Sequence, residues 1–169
     1  MHITRRHLLA LTAGTAAAGA IGAGGLVISW WNQPADQPYR HLTSSESAFV
    51  RAWSSTAFPA TKLISLDGSS ANLDRFFDEM LGAMPGDTDK LLRLLLNGLN
   101  NLPLTSHATP FHKLPKAAQA ELFDNWSHSN VSAFRSAIQS LTLLLGMGWS
   151  THPDVSPFME KMHSCGYGR

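Results

Sequence analysis

The chain has one cysteine, Cys165, among 169 residues. An intramolecular disulfide is therefore impossible, and so are a cysteine-based zinc site, an iron–sulfur cluster and a CxxCH haem attachment. Cys165 is left as a free thiol or as half of an intermolecular bridge. Charge of one sign is also lacking. Thirteen basic and twelve acidic side chains leave a net charge of +1. There is no basic excess to neutralise phosphates, which argues against a nucleic-acid partner. No G-x-S-x-G elbow, P-loop or H-E-x-x-H occurs, and Gly22, Gly24 and Gly25 lie in an apolar run, not after a strand. Strand-like alternation is missing throughout, which points to an all-helical class.

What is present begins at the N-terminus. Thr4-Arg5-Arg6-His7-Leu8-Leu9 resembles the twin-arginine export consensus, with Leu8 where Phe is usual and Ala10 where Lys is common. An uncharged run from Leu8 to Trp31 follows, with seven Ala and five Gly. At about 1.5 Å per residue it covers roughly 36 Å as a helix, enough for a bilayer core. Trp30 and Trp31 at its end suit the membrane interface. Residues 1–31 are therefore read as a twin-arginine signal or a membrane anchor, with Arg5 and Arg6 as the signal and the remainder facing outward. Cleavage and retention both stay open.

Residues 32–41 read as a linker, with two prolines among polar residues. Residues 42–169 read as one helical domain; about 135 residues remain beyond the leader, enough to bury a core unaided. The fold expected is all-α, a compact bundle of five to six helices after the N-terminal helix. Thr43-Ser44-Ser45-Glu46 has capping-box spacing, and Phe49, Ala52 and Trp53 follow until Pro59 stops the helix. Asn72 is placed to cap a second helix, whose stripe is Leu73, Phe76, Phe77, Met80, Leu81 and Met84, with Asp74, Arg75, Asp78 and Glu79 opposite. Pro85-Gly86-Asp87 turns the chain and caps a third. Leucines 91, 92, 94, 95, 96, 99 and 102 cover most of that helix, so it is expected to be central and packed on several sides. Asn100–Lys113 reads as irregular. Leu114-Pro115 opens a fourth helix through Trp126. A fifth carries Val131, Phe134, Ile138, Leu141 and Leu145 on one seam and ends at Gly146-Met147-Gly148. Trp149–Asp154 reads as a turn and Ser156-Pro157 as the start of a short last helix.

Eight histidines raise the question of a metal or b-type haem. His107 and His112 are five apart in a proline-bearing loop, and His152 and His163 come from different elements, so most read as loop residues. The late aromatics Trp126, Trp149, Phe158 and Tyr167 read either as packing or as a patch for a protein partner.

Three stretches carry a resemblance. They are Phe111–Trp126; a helix with Phe134-Arg135 and Leu141; and Gly148-Trp149-Ser150-Thr151-His152-Pro153-Asp154-Val155 with a Gly-Tyr tail. Together with the leader they resemble the gluconate 2-dehydrogenase subunit 3 family, the small subunits of membrane-associated flavin dehydrogenases. Leu114 stands where a capping Ser is usual, Trp149 where Tyr is common, and Phe158 near the late Trp. The resemblance implies a non-catalytic subunit that holds no cofactor or metal of its own. It implies a large FAD-containing partner of the glucose-methanol-choline type, escorted to the periplasm as a folded pair. The other implied partners are the twin-arginine translocase and a membrane cytochrome. Trp149, His152, Pro153 and Tyr167 are the expected partner contacts. Two further readings remain: a membrane-anchored helical scaffold, and a histidine-ligated haem or metal electron carrier.

Overall fold

The computed structural model describes residues 29, 30 and 33–164. Arg5, Arg6, Cys165, Tyr167 and nearly all of the apolar leader lie outside them. Among the described residues the chain is all-helical, with no strand. In order it runs α1 (Ser44–Ala57), α2 (Leu73–Gly82), α3 (Thr88–Asn101), the four-residue α4 (Leu104–His107) and a 3-10 turn (Phe111–Lys113). Then come α5 (Lys116–Ser127), α6 (Ser132–Ser150) and α7 (Ser156–Ser164). No helix among the described residues is long and apolar enough to cross a membrane.

The capping box forms. Thr43 Oγ1 accepts the Glu46 amide at 3.2 Å, and Glu46 Oε2 accepts the Thr43 amide at 2.7 Å. The helix it starts, α1, holds the centre of the domain and touches α2, α3, α5, α6 and the 3-10 turn. Phe49, Val50 and Trp53 on α1 are wholly buried. Phe111 meets Phe49 edge-on at 5.5 Å, and Phe123 meets Trp53 edge-on at 5.0 Å. Trp126 stacks on Trp53 at 6.2 Å. Burying each such ring is worth about 1.5–3 kcal/mol, so this cluster is the main store of apolar stabilisation.

The leucine-rich α3 was expected at the centre and is not there. Its buried face is Arg93, Leu96, Asn97, Leu99 and Asn100, while Leu91 is 58% exposed. Polar groups occupy its inner face because α1 offers them hydrogen-bond partners. The Asn100–Lys113 stretch is more ordered than its sequence suggests: two short helical turns carry Phe111 into the core.

Two helix starts differ from expectation. Asn72 stands at the N-cap of α2 with φ 52, and its side chain makes no cap bond. Its carbonyl instead accepts the Arg75 and Phe76 amides. Asp87 precedes α3 without capping it, because its carboxylate pairs with Lys90 Nζ at 2.8 Å. Val131 is not on the α6 seam; it precedes the helix and is exposed.

The end of α6 also differs. Gly146 and Gly148 are helical, and the helix runs on to Ser150. Neither is a left-handed cap. A Cβ on Gly148 would lie 2.5 Å from Phe76 Cδ1, so glycine here lets α2 and α6 approach closely. The polar residues expected on the outer side of α2 are partly enclosed as well. Asp74 and Asp78 are buried, covered by the stretch before α1, in which Tyr39 and Leu42 are themselves buried. The part of the expected linker from Asp36 onward is thus packed onto the body.

Candidate functional site

A polar seam joins α1 to α3. Glu46, beyond its cap role, accepts Arg93 Nε at 3.2 Å on both oxygens and Asn97 Nδ2 at 2.6 Å. Asn97 Nδ2 also donates to the Arg93 carbonyl at 3.0 Å. One turn on, Asn100 Nδ2 donates to Ser45 Oγ at 3.1 Å, and its Oδ1 accepts the His112 amide at 3.3 Å. His112 Nδ1 lies 2.8 Å from that same Oδ1. An oxygen only accepts, so the proton sits on Nδ1 and leaves Nε2 with its lone pair. Burial, aided by the Lys113 charge, pushes the His112 imidazole below the usual histidine range. Arg93, Asn97 and Asn100 recur at three- and four-residue steps. That polar line among leucines is a readable signal that the leucine count obscured.

The other histidines stand apart from one another. His107 Nδ1 faces Ser106 Oγ at 2.8 Å, and His128 Nδ1 donates to the Asp124 carbonyl at 2.9 Å. Among the described residues, no three His, Cys, Asp or Glu side chains come together in a way that could hold a metal ion.

Three of the expected partner contacts, Trp149, His152 and Pro153, sit at the α6–α7 junction. Trp149 belongs to the last turn of α6, not to the following turn. Its ring stacks on Phe58 at 5.3 Å and 15°, and its indole N–H is buried without a hydrogen-bond partner. Trp149 is therefore directed into the domain. His152 Nδ1 accepts the Asp154 amide at 3.2 Å, and Pro153 is exposed beside it. Tyr167, Arg5 and Arg6 lie outside the described residues.

Surface apolar groups gather elsewhere. Leu91, Leu102 and Leu104 are 58%, 42% and 45% exposed. Leu91, Gly98 and Leu102 are seven and four residues apart, which puts them on one side of α3. Nothing lies within 4 Å of where a Gly98 Cβ would sit. From Leu94 to Phe111 the chain has no Asp, Glu, Lys or Arg. A second uncharged face is on α6, where Leu143 and Met147 are 72% and 61% exposed and Arg135 is the one charged residue in the helix. Sequence reasoning placed Leu91 and Leu102 on a helix packed on several sides, because an apolar count cannot separate a buried stripe from an uncovered one.

Two open clefts flank the stretch before α1. The larger, about 690 Å³, is lined by Arg40, His41, Arg75, Asp78, Glu79 and Gly82, among others. The smaller, about 440 Å³, includes Arg51, Asp74 and Arg75. Both mix charges of either sign.

Comparison with protein-family models, curated proteins and solved structures finds no match to this chain.

Proposed function

We propose that this chain is a non-catalytic accessory subunit of an exported flavin dehydrogenase. It binds a large FAD-containing subunit and supplies the export signal, Arg5 and Arg6, for the pair. The motifs resembling the gluconate 2-dehydrogenase subunit 3 family support this reading. The structural observation that carries it is the uncharged stretch from Leu94 to Phe111, on which Leu102 and Leu104 stand exposed. Solvent-facing leucines in a stretch without charge are the composition of an interface core, not of a solvated surface. The flavin, and with it the redox chemistry, belongs to the partner. The complex works in the periplasm, and electrons pass from the large subunit to another carrier.

The test is a mild-detergent pull-down of the C-terminally tagged chain from its native host, with an absorption spectrum and mass identification of what accompanies it. A yellow complex containing a large flavoprotein is expected. A colourless chain recovered alone overturns the reading and favours the scaffold alternative. A Soret band from the chain expressed alone points instead to the histidine-ligated carrier.

A further inference from the structure

The stretch ahead of α1 is fastened to the helical body chiefly by carboxylates. Asp78 on α2 accepts three successive backbone amides: Arg40 at 3.0 Å, His41 at 2.8 Å and Leu42 at 2.9 Å. One turn earlier on the same helix, Asp74 accepts the Tyr39 hydroxyl and Arg51 Nε, the latter at 2.6 Å. Arg51 belongs to α1, and its Nη2 also donates to the Tyr39 oxygen at 2.6 Å. Asp36 closes the stretch on itself by accepting the Ser44 amide at 2.8 Å.

These bonds depend on tertiary structure. Asp74 and Asp78 share a face only while α2 is helical, since they are four residues apart. Arg51 reaches Asp74 only while α1 is packed on α2. Leu42, wholly buried, needs the same pair to be assembled. In a chain with α1 and α2 unpacked, only bonds local to the stretch, such as that from the Ser44 amide to Asp36, remain to hold residues 36–42.

We infer that residues 36–42 are a folding-dependent latch, which joins the body once α1 and α2 have packed and so shortens the length of chain between the proposed signal and the body. Opening it frees these seven residues, or roughly 25 Å of extended chain. The latch itself rests on the hydrogen bonds above. Its use rests on the proposed export reading: a route that carries folded chains meets a signal on a short tether when the body is folded and on a long, loose one when it is not.

The experiment is limited trypsin digestion of the purified full-length chain, followed by mass spectrometry. Cleavage after Arg40 is compared with cleavage after Lys62, which lies in an exposed loop and serves as an internal clock. Asp78→Ala removes the acceptor of three amides and is expected to raise the Arg40-to-Lys62 ratio by at least about tenfold, with the helical circular dichroism unchanged. Tyr39→Phe keeps the ring and removes only the hydroxyl, and is expected to raise it less. If Asp78→Ala loses its helices, Tyr39→Phe decides. An unchanged ratio in the folded variant overturns the latch. In the native host, Asp78→Ala is expected to slow export. Export at the wild-type rate overturns the coupling to export. Failure of the wild-type chain to be exported overturns the export reading, and the trypsin ratio still decides the latch.

Discussion

Glu46 and Arg93 form an ion pair at 3.2 Å with both side chains nearly closed off from water, linking the first turn of α1 to the middle of α3. A buried pair of this kind contributes little net stability but becomes costly when half of it is removed, because the remaining charge stays desolvated. Arg93→Ala leaves Glu46 with Asn97 and the Thr43 amide as its partners. The expected loss is about 3–5 kcal/mol, read as a lower midpoint in urea unfolding. Glu46→Gln, which also removes charge but keeps an acceptor for the Thr43 amide, should cost less than Arg93→Ala. The reverse order would mean that an unpaired Arg93 costs more than an unpaired Glu46.

The two glycines that face opposite situations give a paired test. Gly148→Ala drives a methyl to within 2.5 Å of the Phe76 ring, which is held between α2 and α6. A loss of about 1–3 kcal/mol is expected. Gly98→Ala meets open space inside α3 and should gain about 0.5–1 kcal/mol from the lower backbone entropy of the unfolded chain. Thermal unfolding of both variants checks the signs. Equal shifts in the same direction would contradict the packing account of Gly148.

How much of this was legible depends on the range of the interaction. The Thr43–Glu46 capping box is written within four residues, and the α2 and α6 stripes within a helix each, so these were readable. The Glu46–Arg93 contact spans 47 residues, and no local pattern encodes it. Phe111 sits in a three-residue turn, too short for a period to show. Asp74 and Asp78 looked like a solvated face because the stretch that covers them is proline-bearing and polar. Gly148 carries the residue type of a helix stop, while the Phe76 ring it packs against is far away in sequence. Arg5, Arg6 and the late aromatic residues were legible only as motifs, and the structure adds to one of the aromatics, Trp149, which stacks on Phe58.

Acid should weaken the domain through two groups with a stated sign. Burial pushes the Asp74 carboxyl up, but hydrogen bonds from Tyr39 and Arg51 and the guanidinium charge outweigh it and hold it below the usual range. Its contribution is present above the unfolded-state value and is lost as pH falls through the lower folded value. His112 is likewise depressed, by burial first. The folded state prefers the neutral ring, so stability is full above the ordinary histidine range, near 6.5, and declines as pH drops below it. Unfolding midpoints measured from pH 8 to pH 3 should fall in two stages, and His112→Gln should flatten the upper stage. A stage that survives in His112→Gln would assign it to another histidine.

The α3–α4 face supplies the most discriminating test of the proposed partnership. Leu91 and Leu102 are solvent-facing, so replacing both with glutamate removes no core packing, and the variant should keep its stability within about 0.5 kcal/mol. If the flavin subunit covers this face, the same change buries two unpaired carboxylates in the complex, a penalty large enough to abolish co-purification. Leu143→Glu with Met147→Glu on α6 provides the internal comparison, since it alters a still more exposed apolar surface on a different helix. Loss of the partner in the α3 variant alone assigns the interface to α3–α4. Loss in the α6 variant alone moves it to the outer face of α6, toward the α6–α7 junction that holds His152 and Pro153. Retention in both removes the structural support for a subunit reading, because the exposed leucines would then have no partner to explain them.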